Sequence, residues 1–329
     1  MKMQLNTFKE NFLEGALTHL WNQWSILGVS GAGETTDLGI VDPEALILLS
    51  ISFAEHDLRL FDELLSWLVE NGGLINTKRL LKLQNQYEFE VKRMLAGMAE
   101  HISRKHSNWM RFGSLDCSEE PEIHWLPSVS SNLKKDLNFE SHGVYRSIFK
   151  NRGLSSKFNF KHKNSLLPRL RSLLGMNAHC EILCYYADGR RVHASKAARD
   201  LAYSQKAIQG ALASMEEVAG VTSYQEGKNK LYVLNASLWQ SLVPKEVTWT
   251  NPIEKYALTK DIWQLVKKLD FNPENTQLTA TLIKHEYLTW KKKHPALYNS
   301  SLEHETGEAF LEEWQIWVNC LRSNQCLGA

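Results

Sequence analysis

Apolar residues recur at three- and four-residue steps along most of this 329-residue chain, which favours a largely helical fold. At the N-terminus, for example, Phe8, Trp21 and Trp24 fall on one side of a helix. Asp42 followed by Pro43 predicts the start of another helix, because aspartate caps helices and proline suits the first helical position. We therefore expect a mainly α, multidomain protein whose β-structure is confined to a short segment.

The composition predicts where such a chain works. It contains no run of eighteen apolar residues, so we expect no membrane span, and its first residues lack the apolar core of a secretory signal. The five cysteines are scattered and odd in number, which fits a reducing compartment better than a disulfide framework. These observations predict a cytoplasmic protein.

The most informative segment is residues 173–235. Its pattern predicts a helix over 178–186, a second helix near 194–202 and a third that Ser204 caps, with Ile208, Leu212 and Met215 facing a core. Two short strands follow, 221–224 and 231–234, with 225–230 as the turn between them.

This order resembles the winged helix-turn-helix domains of bacterial transcription regulators such as the MarR and ArsR groups. The resemblance lies in ASKAARDLAYSQKAIQGALASM and the VTSYQEGKNKLYVLN hairpin, and it covers residues 165–240, about a quarter of the chain. It implies that the third helix enters the major groove of double-stranded DNA and that the hairpin is the wing.

The resemblance also implies a set of DNA-binding residues. On the third helix these are Ser204, Gln205, Lys206 and Gln209, whose side chains can bond bases or phosphates, and on the wing Lys228, Asn229 and Lys230. Three basic residues before or within the second helix complete the set: Arg190, Arg191 and Lys196.

The charge distribution favours the same segment. Residues 1–140 carry 13 Lys/Arg against 20 Asp/Glu, whereas residues 141–251 carry 16 against 7. Residues 141–180 contain no acidic residue. We expect this basic run to add affinity for phosphates, although a solvated basic linker is the alternative. Its basic residues are Arg146, Lys150, Arg152, Lys157, Lys161, Lys163, Arg169 and Arg171.

The pattern predicts four regions. Residues 1–111 form an N-terminal helical domain, in which three helices and a hairpin would make a second winged helix. Residues 112–163 form a linker or extended basic segment, because they mix Ser, Asn, Pro and charge without periodicity. The winged helix-turn-helix spans 164–243, and 244–329 form a C-terminal helical domain.

Cys180 and Cys184 lie one helical turn apart, which would suit half of a metal or redox site. Small cysteines buried in a core are the commoner explanation, so we expect no metal and no other cofactor. No catalytic motif is evident, and we expect a regulator without enzymatic activity.

The sequence thus predicts a DNA-binding transcriptional regulator that acts as a homodimer. Two alternatives stay open. One is a protein-interaction module, such as an antitoxin-like partner from a toxin–antitoxin or defence locus, with the acidic N-terminal region docking a basic protein partner. The other is an enzyme whose site is assembled from scattered residues.

Overall fold

A computed structural model describes residues 5–29, 39–125, 134–151, 158, 160–269, 276–295 and 297–323. Over these residues the protein is mainly helical, as predicted. The helices are α1 Leu5–Ile26, α2 Pro43–Phe53, α3 Leu58–Asn71, α4 Thr77–Gln86, α5 Lys92–Ile102, α6 Met110–Gly113, α7 Leu137–Glu140, α8 Leu166–Leu174, α9 Ala178–Tyr185, α10 Ala194–Asp200, α11 Gln205–Glu217, α12 Ala236–Trp239, α13 Pro252–Lys268, α14 Thr276–Lys293 and α15 Gly307–Ser323.

The described strands are short and form two small sheets. Strands β1 (Ile123–His124) and β2 (Val144–Tyr145) pair in parallel. Strands β3 (Val192–His193), β4 (Val221–Glu226) and β5 (Asn229–Leu234) form an antiparallel sheet in the order β3-β5-β4. The longer strands therefore belong to the region where the sequence predicts a hairpin.

The chain divides into two compact units. Unit 1 combines residues 1–20 with 250–329, and unit 2 is the continuous stretch 21–249. These units are defined by spatial proximity, and the division into four regions stays a prediction.

Unit 1 has an aromatic core that both ends of the sequence build. Phe8 lies against Trp314 with ring centroids 5.2 Å apart, and Phe12 stacks on Trp263 at 6.1 Å. All four rings are buried. Trp263 and Trp314 thus anchor the core of unit 1.

In unit 2, helix α2 is buried on every side, since each of its residues except Ser52 is inaccessible to solvent. Asp42 caps its N-terminus by accepting a hydrogen bond from the Ala45 amide, and Pro43 occupies the first turn, as predicted. A helix without a polar face needs neighbours all round, and α4 is one of them.

Residues 112–163 contain more structure than the sequence pattern indicates. Within their described part, β1, α7 and β2 are formed, and the ring of Phe139 in α7 packs against Gly97 of α5. The segment from 134 to 151 is therefore held on α5 by a buried aromatic side chain, although its elements are too short to produce a periodic pattern.

Helix α5 begins at Lys92, and Glu88 before it adopts a left-handed backbone conformation (φ 52°) that no helix continues through. Residues 5–29 and 39–113 form helices alone, so they supply no hairpin for a second winged helix.

Among the described residues, no helix combines the length and the apolar character that crossing a membrane requires.

Candidate nucleic-acid interface

Residues 178–234 form α9, β3, α10, α11 and the β4–β5 hairpin in that order, with a short turn at 201–204 between α10 and α11. Helix α9 packs on α8 and α11, and β3 joins the hairpin through β5. All three helices and the hairpin therefore share one core.

Helix α11 begins where the sequence predicts. Ser204 is its N-cap, and the Ser204 hydroxyl accepts a hydrogen bond from the Ala207 amide at 3.2 Å. Ile208, Leu212 and Met215 are buried, as expected, so the opposite side of the helix faces solvent.

That opposite side brings together the main predicted DNA-binding residues. Ser204, Gln205, Lys206 and Gln209 are all exposed, and Gly210 continues the same surface. The side chains of Lys206 and of both glutamines make no hydrogen bond or ion pair with any other described residue. The first two turns of α11 thus present a polar surface that no described part of unit 2 covers.

The hairpin is longer and tighter than the sequence pattern predicts. Its ladder continues to Glu226 opposite Asn229, and the turn consists of Gly227 and Lys228 alone. Gly227 adopts the positive φ (59°) that a two-residue hairpin turn requires. The expected turn over 225–230 is therefore wrong, and Asn229 and Lys230 lie in β5 rather than at the tip.

Lys230 is bound within the protein. Its Nζ lies 2.8 Å from the carboxylate of Glu216, near the end of α11, and the same carboxylate accepts a hydrogen bond from the Ser223 hydroxyl. The hydrogen bond from Lys230 is the main cause of the lowered pKa of Glu216. Glu216 thus ties α11 to the hairpin, a role that sequence reasoning missed because the two residues belong to different elements and their packing is not visible in the sequence.

Two of the basic residues before and within α10 are also paired. The guanidinium of Arg190 donates to the carboxylate of Asp188 at 2.8 Å and to the carbonyl of Trp249 at 2.6 Å. Lys196 lies 3.1 Å from Asp200. Each of these two side chains would have to give up its present contacts in order to bind a phosphate.

Arg191 and Lys228 are differently placed. Arg191 is exposed and lies over the ring of Tyr224, 5.3 Å from its centroid. Lys228 is exposed at the tip of the hairpin and has no ion pair with a described residue. With Lys206, they are the basic members of the predicted set that no carboxylate of the described chain neutralises.

Two arginines of the acid-free basic run are buried in ion pairs. Arg146 is buried and paired with Asp62 at 2.5 Å, and Arg171 is buried between Glu44 and Glu181 at 2.6 and 2.7 Å. The expectation that the whole run contacts phosphates is therefore wrong for these two arginines, because both are buried and paired with carboxylates.

The other basic residues of the run are variously placed. Arg169 is half-buried and donates to the carbonyl of Leu242 at 3.1 Å. Lys150 and Lys161 are exposed. Arg152 and Lys157 lie outside the described residues.

The two cysteines of α9 are core residues. Cys180 and Cys184 are buried, and this burial raises the pKa of the Cys180 thiol to about 12 and that of Cys184 well above its ordinary value. A thiol that stays protonated is a poor nucleophile and metal ligand. No group of three or more His, Cys, Asp or Glu side chains within the described ranges is arranged to hold a metal ion.

Comparison of the chain with protein-family profiles, with curated proteins and with solved structures gave no match.

Proposed function

We propose that this protein binds double-stranded DNA through α11 and acts as a transcriptional regulator with a winged helix-turn-helix. The observation that supports the proposal best is the exposed polar start of α11, where Gln205, Lys206 and Gln209 have no described partner. Unmatched polar side chains grouped on one face of a rigid helix suit a partner rich in hydrogen-bonding groups.

Duplex DNA is such a partner. Its major groove admits an α-helix, and amide side chains such as those of Gln205 and Gln209 can pair in bidentate fashion with adenine. The amide groups at the N-terminus of α11 and the ammonium of Lys206 favour a nearby phosphate. In this arrangement α10 crosses the DNA backbone while α11 lies in the groove.

The β4–β5 hairpin would act as the wing. Lys228 at its tip is the residue best placed to meet a phosphate or the minor groove, whereas Lys230 is occupied by Glu216. Sequence selectivity would then come from the glutamines of α11, and affinity from Lys206, Lys228 and Arg191. We propose that two copies bind together as a homodimer in the cytoplasm, without a cofactor or covalent chemistry.

The proposal is tested by measuring binding to a mixed-sequence duplex at about 50 and 200 mM salt. We expect binding that weakens steeply with salt, because each phosphate contact releases counterions. The triple variant Gln205→Ala, Lys206→Ala, Gln209→Ala should bind a duplex that the wild-type protein selects from a randomised pool at least about tenfold more weakly than the wild type does, since each good base contact contributes roughly 1–3 kcal/mol.

Lys292→Ala is the charge-matched control, because it removes one exposed lysine from α14. It should leave binding unchanged. The proposal fails if the wild-type protein does not bind the duplex at low salt, or if the triple variant binds as tightly as the wild type.

An interaction protein is the alternative, and an apolar surface at the end of α8 favours it. Leu173 is 61% exposed, and Leu174 and Met176 are also exposed. Such side chains suit a protein partner or a second copy of the chain. A wild-type protein that fails to bind DNA but forms a stable complex with another protein would support this alternative.

A further inference from the structure

The turn between α10 and α11 has an unfavourable backbone conformation. Ala202 adopts a left-handed conformation, with φ at 56°, which costs free energy in any residue that carries a Cβ. Two backbone hydrogen bonds hold the turn on the end of α10. The Ala202 amide donates to the Arg199 carbonyl, and the Tyr203 amide donates to the Ala198 carbonyl. The direction in which α11 leaves this turn depends on how firmly these residues are fixed.

A helix from the N-terminal half of unit 2 supplies further contacts. The guanidinium Nε of Arg79 in α4 donates to the carbonyl of Leu201 at 2.9 Å. The side-chain amide of Asn76, the N-cap of α4, donates to the hydroxyl of Tyr203 at 3.0 Å. The residues on both sides of Ala202 are therefore held from the same end of the same helix.

That end of α4 is itself anchored by buried charges. The two remaining nitrogens of Arg79 donate to Asp42 at 2.5 Å and to Glu44 at 2.6 Å. The Glu44 carboxylate also accepts hydrogen bonds from the backbone amide of Asn76 at 2.7 Å and from the guanidinium of Arg171 at 2.6 Å. Asp42, Glu44, Arg79 and Arg171 are all buried, so none of these groups can turn toward water.

We propose that Arg79 and Asn76 are positioning residues that set the orientation of α11 from outside the helix-turn-helix. This inference rests on the proposed function for its consequence on DNA, but the positioning itself can be measured without DNA. A buried ion pair adds little to stability compared with apolar residues of the same shape. The guanidinium of Arg79, in contrast, is a planar fork of fixed geometry, which suits it to hold the Leu201 carbonyl in one place.

The first experiment measures amide hydrogen exchange in the full chain. Tyr203→Phe removes only the hydroxyl that Asn76 contacts, and it leaves the cap of α4 intact. We expect the hydrogen-bonded amides among residues 201–208 to exchange about fivefold faster, the factor that corresponds to one lost hydrogen bond, while α4 keeps its protection. The control is Tyr186→Phe, which removes another buried hydroxyl bond, to the Val192 carbonyl. It should leave residues 201–208 unchanged.

Arg79→Lys is the second variant, because a lysine keeps the charge but lacks the Nε group that contacts Leu201. It should also speed exchange over residues 201–208. If Tyr203→Phe and Arg79→Lys both leave this segment as protected as in the wild type, α4 does not position the turn and the inference is overturned.

The second experiment compares two duplexes, one selected by the wild-type protein from a randomised pool and one of mixed sequence. Phosphate contacts tolerate a small rotation of α11, whereas base contacts do not. Tyr203→Phe should therefore weaken binding to the selected duplex about fivefold and leave binding to the mixed duplex within about twofold. A merely destabilised protein would lose both equally, which would overturn the inference.

The two proposals fail differently. If the wild-type protein selects no duplex from the pool and does not bind the mixed one, the proposed function is wrong, and the exchange experiment still decides whether α4 positions the turn. If the wild-type protein binds the selected duplex and Tyr203→Phe binds it equally well, the proposed function stands and the positioning role is wrong.

Discussion

At the scale of single residues, Glu216 determines the orientation of Lys230 in the hairpin. Its carboxylate lies 2.8 Å from Lys230 and also accepts a hydrogen bond from Ser223. Lys230 is exposed and Glu216 is half-buried, so water screens the ion pair and it adds little to stability. Its main effect is that Lys230 points toward α11 and is neutralised there.

Replacing Glu216 by glutamine should release Lys230 for a phosphate. The amide oxygen of the new side chain can still accept from Ser223, so the hairpin is expected to keep its place. We expect the slope of log affinity against log salt to become steeper by about 0.9, the value for one additional phosphate contact. Fluorescence anisotropy with a labelled duplex between about 50 and 200 mM salt measures this slope.

The neighbouring Glu217 provides the control, because it is exposed and has no ion pair with a described residue. Glu217→Gln changes the net charge by the same amount. An equal steepening in both variants would mean that general electrostatics, rather than the release of Lys230, is responsible.

A second single-residue effect concerns Asp261 in unit 1. Burial alone would raise the pKa of its carboxyl group, but the hydrogen bond from His294 and the charges of Lys260 and Lys293 outweigh burial and lower this pKa to about 2. The ionised carboxyl therefore stabilises the fold at pH values above its unfolded-state pKa of 3.8. This stabilisation is lost as the pH falls through the folded-state pKa of about 2.

Asp261→Asn should lower the free energy of unfolding by about 2 kcal/mol at pH 7, since one pKa unit corresponds to about 1.4 kcal/mol. The difference from the wild type should shrink between pH 4 and pH 2, as the wild-type carboxyl protonates. Urea unfolding at several pH values measures it, with Glu312→Gln, an exposed carboxylate on α15, as the control. A difference that does not change with pH would contradict this explanation.

At the scale of elements, two helical glycines should respond in opposite ways. A Cβ on Gly97 of α5 would lie 2.3 Å from the ring of Phe139, whereas a Cβ on Gly210 of α11 would meet nothing within 4 Å. Gly97→Ala should therefore destabilise the protein by roughly 1–3 kcal/mol through overpacking. Gly210→Ala should stabilise it by about 0.5–1 kcal/mol, because alanine loses less backbone entropy in a helix.

Thermal unfolding of both variants beside the wild type tests this pair, each serving as the control for the other. Equal shifts of the same sign would show that helix propensity alone, and not the contact between α5 and α7, determines the result.

The elements also show how far the sequence alone can predict this structure. Caps such as Asp42 and Ser204 and the periodic apolar positions predict where α2 and α11 begin, because these signals are local. The two-residue turn at Gly227 was missed because polar residues continue the ladder on both sides of it. At the interface, the exposure of Gln205 and Gln209 follows from helical periodicity. The pairing of Lys230 does not, since it depends on how the hairpin packs on the end of α11.

The buried arginines are the residues whose environment the sequence predicts least well. Arg146 and Arg171 occur in an acid-free run, and in sequence they look like their exposed neighbour Lys150. Asp62 and Glu44, which pair with them, lie more than eighty residues earlier in the chain. Only the tertiary fold shows which cations are compensated.

At the scale of the whole molecule, a buried cluster of charged side chains joins the N-terminal helices of unit 2 to α8 and α9. Glu44 at the start of α2 accepts hydrogen bonds from both Arg79 and Arg171, and Arg171 also contacts Glu181 of α9. Removing one partner of a buried ion pair costs about 3–5 kcal/mol, because the other charge stays buried. Helices far apart in sequence should therefore lose stability together.

Glu44→Gln in the full chain should reduce the hydrogen-exchange protection of α2 and of α9 by the same factor, at least about a hundredfold for a loss of about 3 kcal/mol. Glu312→Gln makes the same chemical change on the surface of α15 and should leave both helices unaffected. Loss of protection in α2 alone would show that the two halves of unit 2 open separately.

The composition of unit 1 has a consequence for synthesis on the ribosome. The buried rings of Phe8 and Phe12 find their aromatic partners, Trp314 and Trp263, only after the whole of residues 21–249 has been translated. Until then, the apolar side of the first four turns of α1 has no native partner within unit 1. This apolar side of α1 therefore lacks its native aromatic partners while residues 21–249 are translated, and chaperones that shield apolar segments should engage it during that time.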